Sequence, residues 1–271
     1  MRTTEAALSA VLRRDRLIVF AALAIVVGLS WAYVLQLAWE MNSPSAEMPG
    51  MSVGEMAAMA APGFVPWTLA HGVFIFAMWT VMMVGMMTPS VAPMVLTYVQ
   101  VGRHAAASGR PFASALWFLL GYLGIWTVLS VAATLIQYAL ERGALLTPMM
   151  EGASRLFGGA VLIGIGVFQW TPIKGVCLSQ CRAPLAFIQK HGGFAGTATG
   201  SLRLGAIHGA YCVGCCWALM ALLFVVGVMN TLWIAAITTF VLLEKIIPWG
   251  RFLSRLAGAA VAGVGLWMLA R

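Results

Sequence analysis

The sequence predicts an all-α integral membrane helix bundle, one transmembrane domain over residues 1–271, on three observations. Of the 271 residues, 62% are apolar and only 9% are charged. Apolar runs of about 20 residues, the length a helix needs to cross a bilayer, recur along the whole chain. The basic residues then fall almost wholly on one side of the topology those runs define. The runs place helices near 17–39, 67–100, 112–139, 153–171, 204–229, 230–247 and 254–270.

The first run follows Arg13, Arg14 and Arg16. It is too long for a signal-peptide core and lacks a small-residue cleavage site, so it reads as a retained helix. Residues 40–66 form a Met-rich loop, expected outside the cytoplasm, in which Met41, Met48, Met51, Met56 and Met59 occur in polar sequence. Membrane packing does not account for them there, and a solvated thioether loop suits weak collection of Cu(I). His71, at the outer end of the second helix, could relay an ion inward from Met48 and Met51, although a single His at that edge also reads as an interfacial residue.

The second helix presents sulfur along its length. Met78, Met82 and Met86 form one i,i+4 row, and Met83 and Met87 an adjacent one. Pro89 and Pro93 follow, and each removes a backbone donor, so a broken or kinked helix is expected at mid-depth. The third run is a plain apolar span. After the fourth, the connection 172–203 is expected in the cytoplasm and carries Cys177 and Cys181 four residues apart, between Lys174 and Arg182.

The fifth helix carries the richest pattern. His208, Cys212, Cys215 and Cys216 are spaced three or four apart and make one stripe. Gly205 and Gly209 flank it at the spacing that lets a neighbouring helix approach, expected to be the second helix. "MMVGMM" and "YCVGCC" align on Val-Gly, so that Met83, Met86 and Met87 match Cys212, Cys215 and Cys216. Both sets fall at the same depth on helices of opposite direction, compatible with a 3+3 inverted repeat plus one helix. One buried Cys packs as a small hydrophobe and one membrane His bonds a carbonyl, but four such residues on one stripe favour a metal. The sixth helix ends in Glu244 and Lys245. Lys245 reads as an anchor snorkelling to the interface, and Glu244 as a proton site partnered by Arg203 or Arg251.

The net charge of +8 does not point to nucleic acid. With the N-terminus in the cytoplasm, every Lys and Arg except Arg142, Arg155 and Arg271 lies inside. No cysteine falls on the outer side, which argues against a structural disulfide framework and for metal or redox chemistry.

The segments "MWTVMMVGMMTPSVAPM", "QWTPIKGVCLSQCRAP", "GAIHGAYCVGCCWALMALLFVVGVMN" and "LLEKIIPWG" together resemble a bacterial family of largely uncharacterised, predicted metal-binding integral membrane proteins. The resemblance implies metal binding at His208, Cys212, Cys215, Cys216, Cys177 and Cys181, and fixes no metal or reaction. Soft sulfur ligands select Cu(I), with zinc the alternative for a Cys/His set. The expected function is Cu(I) transport across, or delivery at, a bacterial inner membrane, through a Met/His/Cys site at the midplane with Cys177 and Cys181 at the inner mouth. Expected partners are membrane lipids, the metal ion and a cuproprotein or metallochaperone. Two other readings stand beside it: a thiol/quinone oxidoreductase using Cys212/Cys215 and Cys177/Cys181, and an accessory subunit of a membrane metalloenzyme.

Overall fold

The computed structural model describes residues 2–42, 67–109, 113–147, 150, 152–192 and 196–271, with side chains described for all of these except 2–16, 41–42 and 106. The described elements are α1 (Arg2–Asn42), α2 (Leu69–Ala107), α3 (Ala115–Arg142), α4 (Arg155–Phe168), α5 (Pro172–Arg182), α6 (Pro184–Lys190), α7 (Ala198–Ala221), α8 (Leu223–Val226), α9 (Thr231–Ile246) and α10 (Gly250–Ala270). The protein is all-helical in these residues. Met48 and Met51, with the rest of the Met-rich segment after Asn42, lie outside them.

Among the described residues, five helices are long and apolar enough to cross a membrane: Leu17–Glu40, Leu69–Ala105, Ala115–Arg142, Ala198–Val226 and Gly250–Ala270. The bent pair α4 and α5 makes a sixth if it is one span. The fourth run divides into α4 and α5, which meet at a bend of 62°. Pro172 cannot continue α4, and Thr171 caps a fresh helix by accepting from the Lys174 amide, so the chain restarts in a new direction. The sixth run gives α9, only 16 residues long. Before it, Gly227 takes φ +100°, and the Asn230 side chain accepts from the Trp233 amide to start the helix.

The break expected at Pro89 and Pro93 does not occur, since α2 runs unbroken through both. Neighbouring hydroxyls occupy its carbonyls: Thr88 Oγ1 donates to Val84 O at 2.7 Å and Ser90 Oγ to Met87 O at 2.8 Å. Tyr122 of α3 donates a second bond to Met87 O at 3.1 Å. These bonds stiffen the helix around the prolines, whose missing amides leave Gly85 O and Pro89 O without their helical donors.

Close helix contacts are made through glycine. A Cβ on Gly121 would lie 2.0 Å from Leu202 O, and one on Gly205 1.9 Å from Phe118 O. Gly205 and Gly209 thus admit α3, not α2 as expected from spacing alone. Likewise α4 and α10 approach at Gly166 and Gly258, and α1 meets α2 where Ser30 faces Gly85. The outer faces of α1 and α10 are apolar and exposed, as at Leu29 and Leu266, which suits contact with lipid chains. The two halves pack unequally: α3 lies close along α7, while α9, its counterpart in an inverted repeat, touches α2 over a shorter stretch.

Candidate metal centre

The centre is built on α7 and closed by α2, α3, α5 and α9. On α7 the expected stripe is buried throughout: His208, Cys212, Cys215 and Cys216 are each at most 1% exposed. The Met rows of α2 are buried as well, from Met78 to Met87. Cys216 Sγ reaches Met87 Sδ at 3.9 Å, a direct contact between the two sulfur sets. Met83 instead lines an apolar cavity with Trp79, Met220 and Phe224.

The cysteines of α5 do not form a separate station at the mouth. Being four apart on a helix, Cys177 and Cys181 both face α7. Cys181 interacts electrostatically with Cys212 and Cys215. Cys177 Sγ sits over Gly214, where an added Cβ would be 2.7 Å from the sulfur. The glycine of "CVGC" is therefore the gap that lets the α5 thiols reach the α7 thiols. All five cysteines are free.

The charges expected beside Cys177 and Cys181 point elsewhere. Lys174 Nζ is ion-paired with Glu244 at 2.8 Å and also bonds Gln169 Oε1. Arg182 donates to the carbonyls of Ile247 and Pro248 at 2.6 and 2.8 Å. Glu244 is thus partnered by Lys174, not by Arg203 or Arg251, and is 1% exposed. His71 is exposed, held edge-on to Trp67 at 5.1 Å, and about 18 Å up the helix from Met83 at 1.5 Å per residue.

The cation that reaches the thiols is Lys245. Its ammonium donates to Ser90 Oγ at 2.8 Å and to Cys212 Sγ at 3.0 Å, with the residue 8% exposed, so it does not snorkel to the interface. Tyr122 OH meets the same Cys212 sulfur at 3.2 Å. Lys245, Tyr122 and Ser90 were not identified from sequence. The available signal was an ionisable pair inside an apolar run, "LLEKIIP", since such residues in membrane helices face the bundle interior.

His208 sits between Phe118, Tyr122 and Phe187, whose ring centroids lie at 5.9, 5.9 and 4.9 Å. Its Nδ1 is buried with no hydrogen-bond partner. An unpaired buried ring nitrogen costs free energy, and a metal or a shift of neighbouring groups would remove that cost.

No three His, Cys, Asp or Glu side chains among the described residues stand in a ready-made coordination shell. The reason is visible in the thiols. Cys215 and Cys216 both donate back to the Cys212 carbonyl, at 3.0 and 2.8 Å, which turns their sulfurs toward the helix backbone. Rotation of a thiol about one bond frees it, so the sulfurs are gathered without being locked in place.

A family model described as PpoB2, copper chaperone, matches residues 76–268. The chain belongs to this copper chaperone family. The matched part takes in the Met rows and all five cysteines, and leaves out α1, the Met-rich segment and His71. No curated protein matches the chain. No solved structure matches it. Membership of a copper chaperone family supports a copper-related function.

Proposed function

We propose that the protein carries Cu(I) in the membrane on thiolates drawn from Cys181, Cys212 and Cys215, and passes it to a partner cuproprotein or metallochaperone. The observation that supports this best is the convergence of Cys181 from α5 with Cys212 and Cys215 from α7 around Lys245. Thiolate sulfur favours Cu(I), which accepts low coordination numbers. Binding by two thiols releases two protons and leaves a copper dithiolate of net charge −1. The Lys245 ammonium, within electrostatic reach of Cys181, Cys212 and Cys215, neutralises it in place. Tyr122 OH, which donates to Met87 O, lies 3.2 Å from the Cys212 sulfur.

Cys216 and Met87 provide a further thiol and thioether one turn along, with Met86, Met83, Met82 and Met78 continuing the thioether surface toward the start of α2. His208 stands one turn before Cys212 on α7, and Cys177 lies over Gly214 of the same helix. Sulfur and imidazole donors arranged along a helix rather than in one closed shell fit stepwise transfer. The charge distribution supports a bacterial inner-membrane setting with the N-terminus in the cytoplasm.

Copper and zinc titrations of detergent-purified, reduced protein test the assignment. Copper(I) should bind in preference to zinc, with sulfur dominating its X-ray absorption shell, and the binding should be lost in Cys212→Ser. A preference for zinc, or an oxygen and nitrogen shell, would overturn it. Formation of a Cys181–Cys212 or Cys181–Cys215 disulfide coupled to quinone reduction would favour the oxidoreductase reading instead.

A further inference from the structure

We propose that the cleft where α5 begins beside α10 is a binding site for a phosphate-bearing anion, independent of the copper site. The cleft has a volume of about 320 Å³ and is lined by Gln169, Trp170, Lys174, Arg251, Ser254 and Arg255 among others. Its donors converge from three sources. Arg251 and Arg255 stand one turn apart on the same face of α10, both exposed. The positive end of α5 opens into the cleft, since Thr171 caps that helix and lines the wall.

Gln169 supplies the third and deciding group. It is only 3% exposed, yet its Nε2 has no hydrogen-bond partner. The orientation of that amide is fixed, because Oε1 accepts from both Lys174 Nζ and Ser254 Oγ. A buried N–H pair is therefore left without an acceptor on a residue that lines the cleft, and leaving it unmet is costly. No carboxylate lines the cleft, and the charge of Lys174 is already matched by Glu244. Two guanidinium groups, an unmet amide donor and a helix N-terminus call for an anion. Guanidinium forks match phosphate oxygens two at a time, which selects a phosphate group over a halide or a lone carboxylate. Trp170, 56% exposed and in cation–π contact with Arg255, adds an apolar shelf for a chain or ring attached to the phosphate.

A phospholipid headgroup and a free phosphate share this chemistry, and native mass spectrometry of the detergent-solubilised protein separates them. Phosphatidylglycerol should be retained at least about tenfold more strongly than phosphatidylcholine with the same acyl chains. Arg251→Gln/Arg255→Gln should abolish that difference with an unchanged melting temperature. Gln169→Glu provides a second variant, because it keeps the acceptor for Lys174 and Ser254 while replacing the free donor with an acceptor. It too should lose retention. If inorganic phosphate displaces the lipid, the phosphate group suffices as ligand; if it does not, the site needs the lipid. Both results support the proposal. Equal retention of the two lipids, or unchanged phosphatidylglycerol retention in the double arginine variant and in Gln169→Glu, would overturn it.

Discussion

Lys245 places an ammonium 3.0 Å from the Cys212 sulfur in a region closed to water, and that contact carries the electrostatics of the copper reading. A charged hydrogen bond of this type contributes roughly 1.5–3 kcal/mol. Lys245→Met should therefore weaken Cu(I) binding about 10- to 100-fold, measured by competition with a chromophoric Cu(I) chelator. An unchanged affinity would remove Lys245 from the site. Tyr122 plays a double part, since its hydroxyl meets both Cys212 Sγ and Met87 O. Tyr122→Phe should cost about 1 kcal/mol of stability and a smaller loss of copper affinity than Lys245→Met, by thermal unfolding and the same competition. At Gly214, the Cys177 sulfur occupies the space a side chain would take. Gly214→Val should displace α5 and lower copper affinity more than it lowers helix content in circular dichroism.

The short helix α5 is held at its N-terminal end by Lys174 and Glu244, and this ion pair positions Cys177 and Cys181 against α7. Removing one member leaves the other charge buried and unmatched, a cost of about 3–5 kcal/mol. Glu244→Gln should accordingly lower the melting temperature sharply, whereas Lys174→Met/Glu244→Leu should recover most of the loss. If the double variant is no more stable than Glu244→Gln, the pair does not act as a unit. Much at this scale was legible in sequence. Helical spacing gave the α7 stripe and the Met rows of α2, and both are buried where spacing put them. Partner choice was not legible. Gly205 and Gly209 mark a close approach, but one stripe of small residues does not say which helix fits it, and Gly121 on α3 supplied the matching gap. The bend at Gln169–Thr171 escaped notice for a similar reason. Hydropathy runs through it without a drop, and only the local Thr-Pro cap marks the restart.

At the scale of the bundle, α2, α3, α5, α7 and α9 surround a core in which Cys216 of α7 touches Met87 of α2 and Cys181 of α5 interacts electrostatically with Cys212 and Cys215. Sequence spacing divided these between a midplane site and a mouth site because Cys177 and Cys181 sit in a stretch too polar and too short to read as part of the core. The 62° bend between α4 and α5 accompanies the placement of Cys177 over Gly214 of α7. Burial follows from that: Cys181 is 9% exposed, so a bulky maleimide should modify Cys177 well before Cys181 in the folded protein. Equal rates would place α5 away from α7. The central claim is that Cys181 and Cys212 belong to a single copper site, and a double-mutant cycle read by Cu(I) titration tests it most directly. Cys181→Ser and Cys212→Ser should each abolish the tight binding event, and the double variant should bind no more weakly than either, since groups that share one site are not additive. Wild-type affinity in Cys181→Ser, with losses that simply add in the double variant, would contradict it.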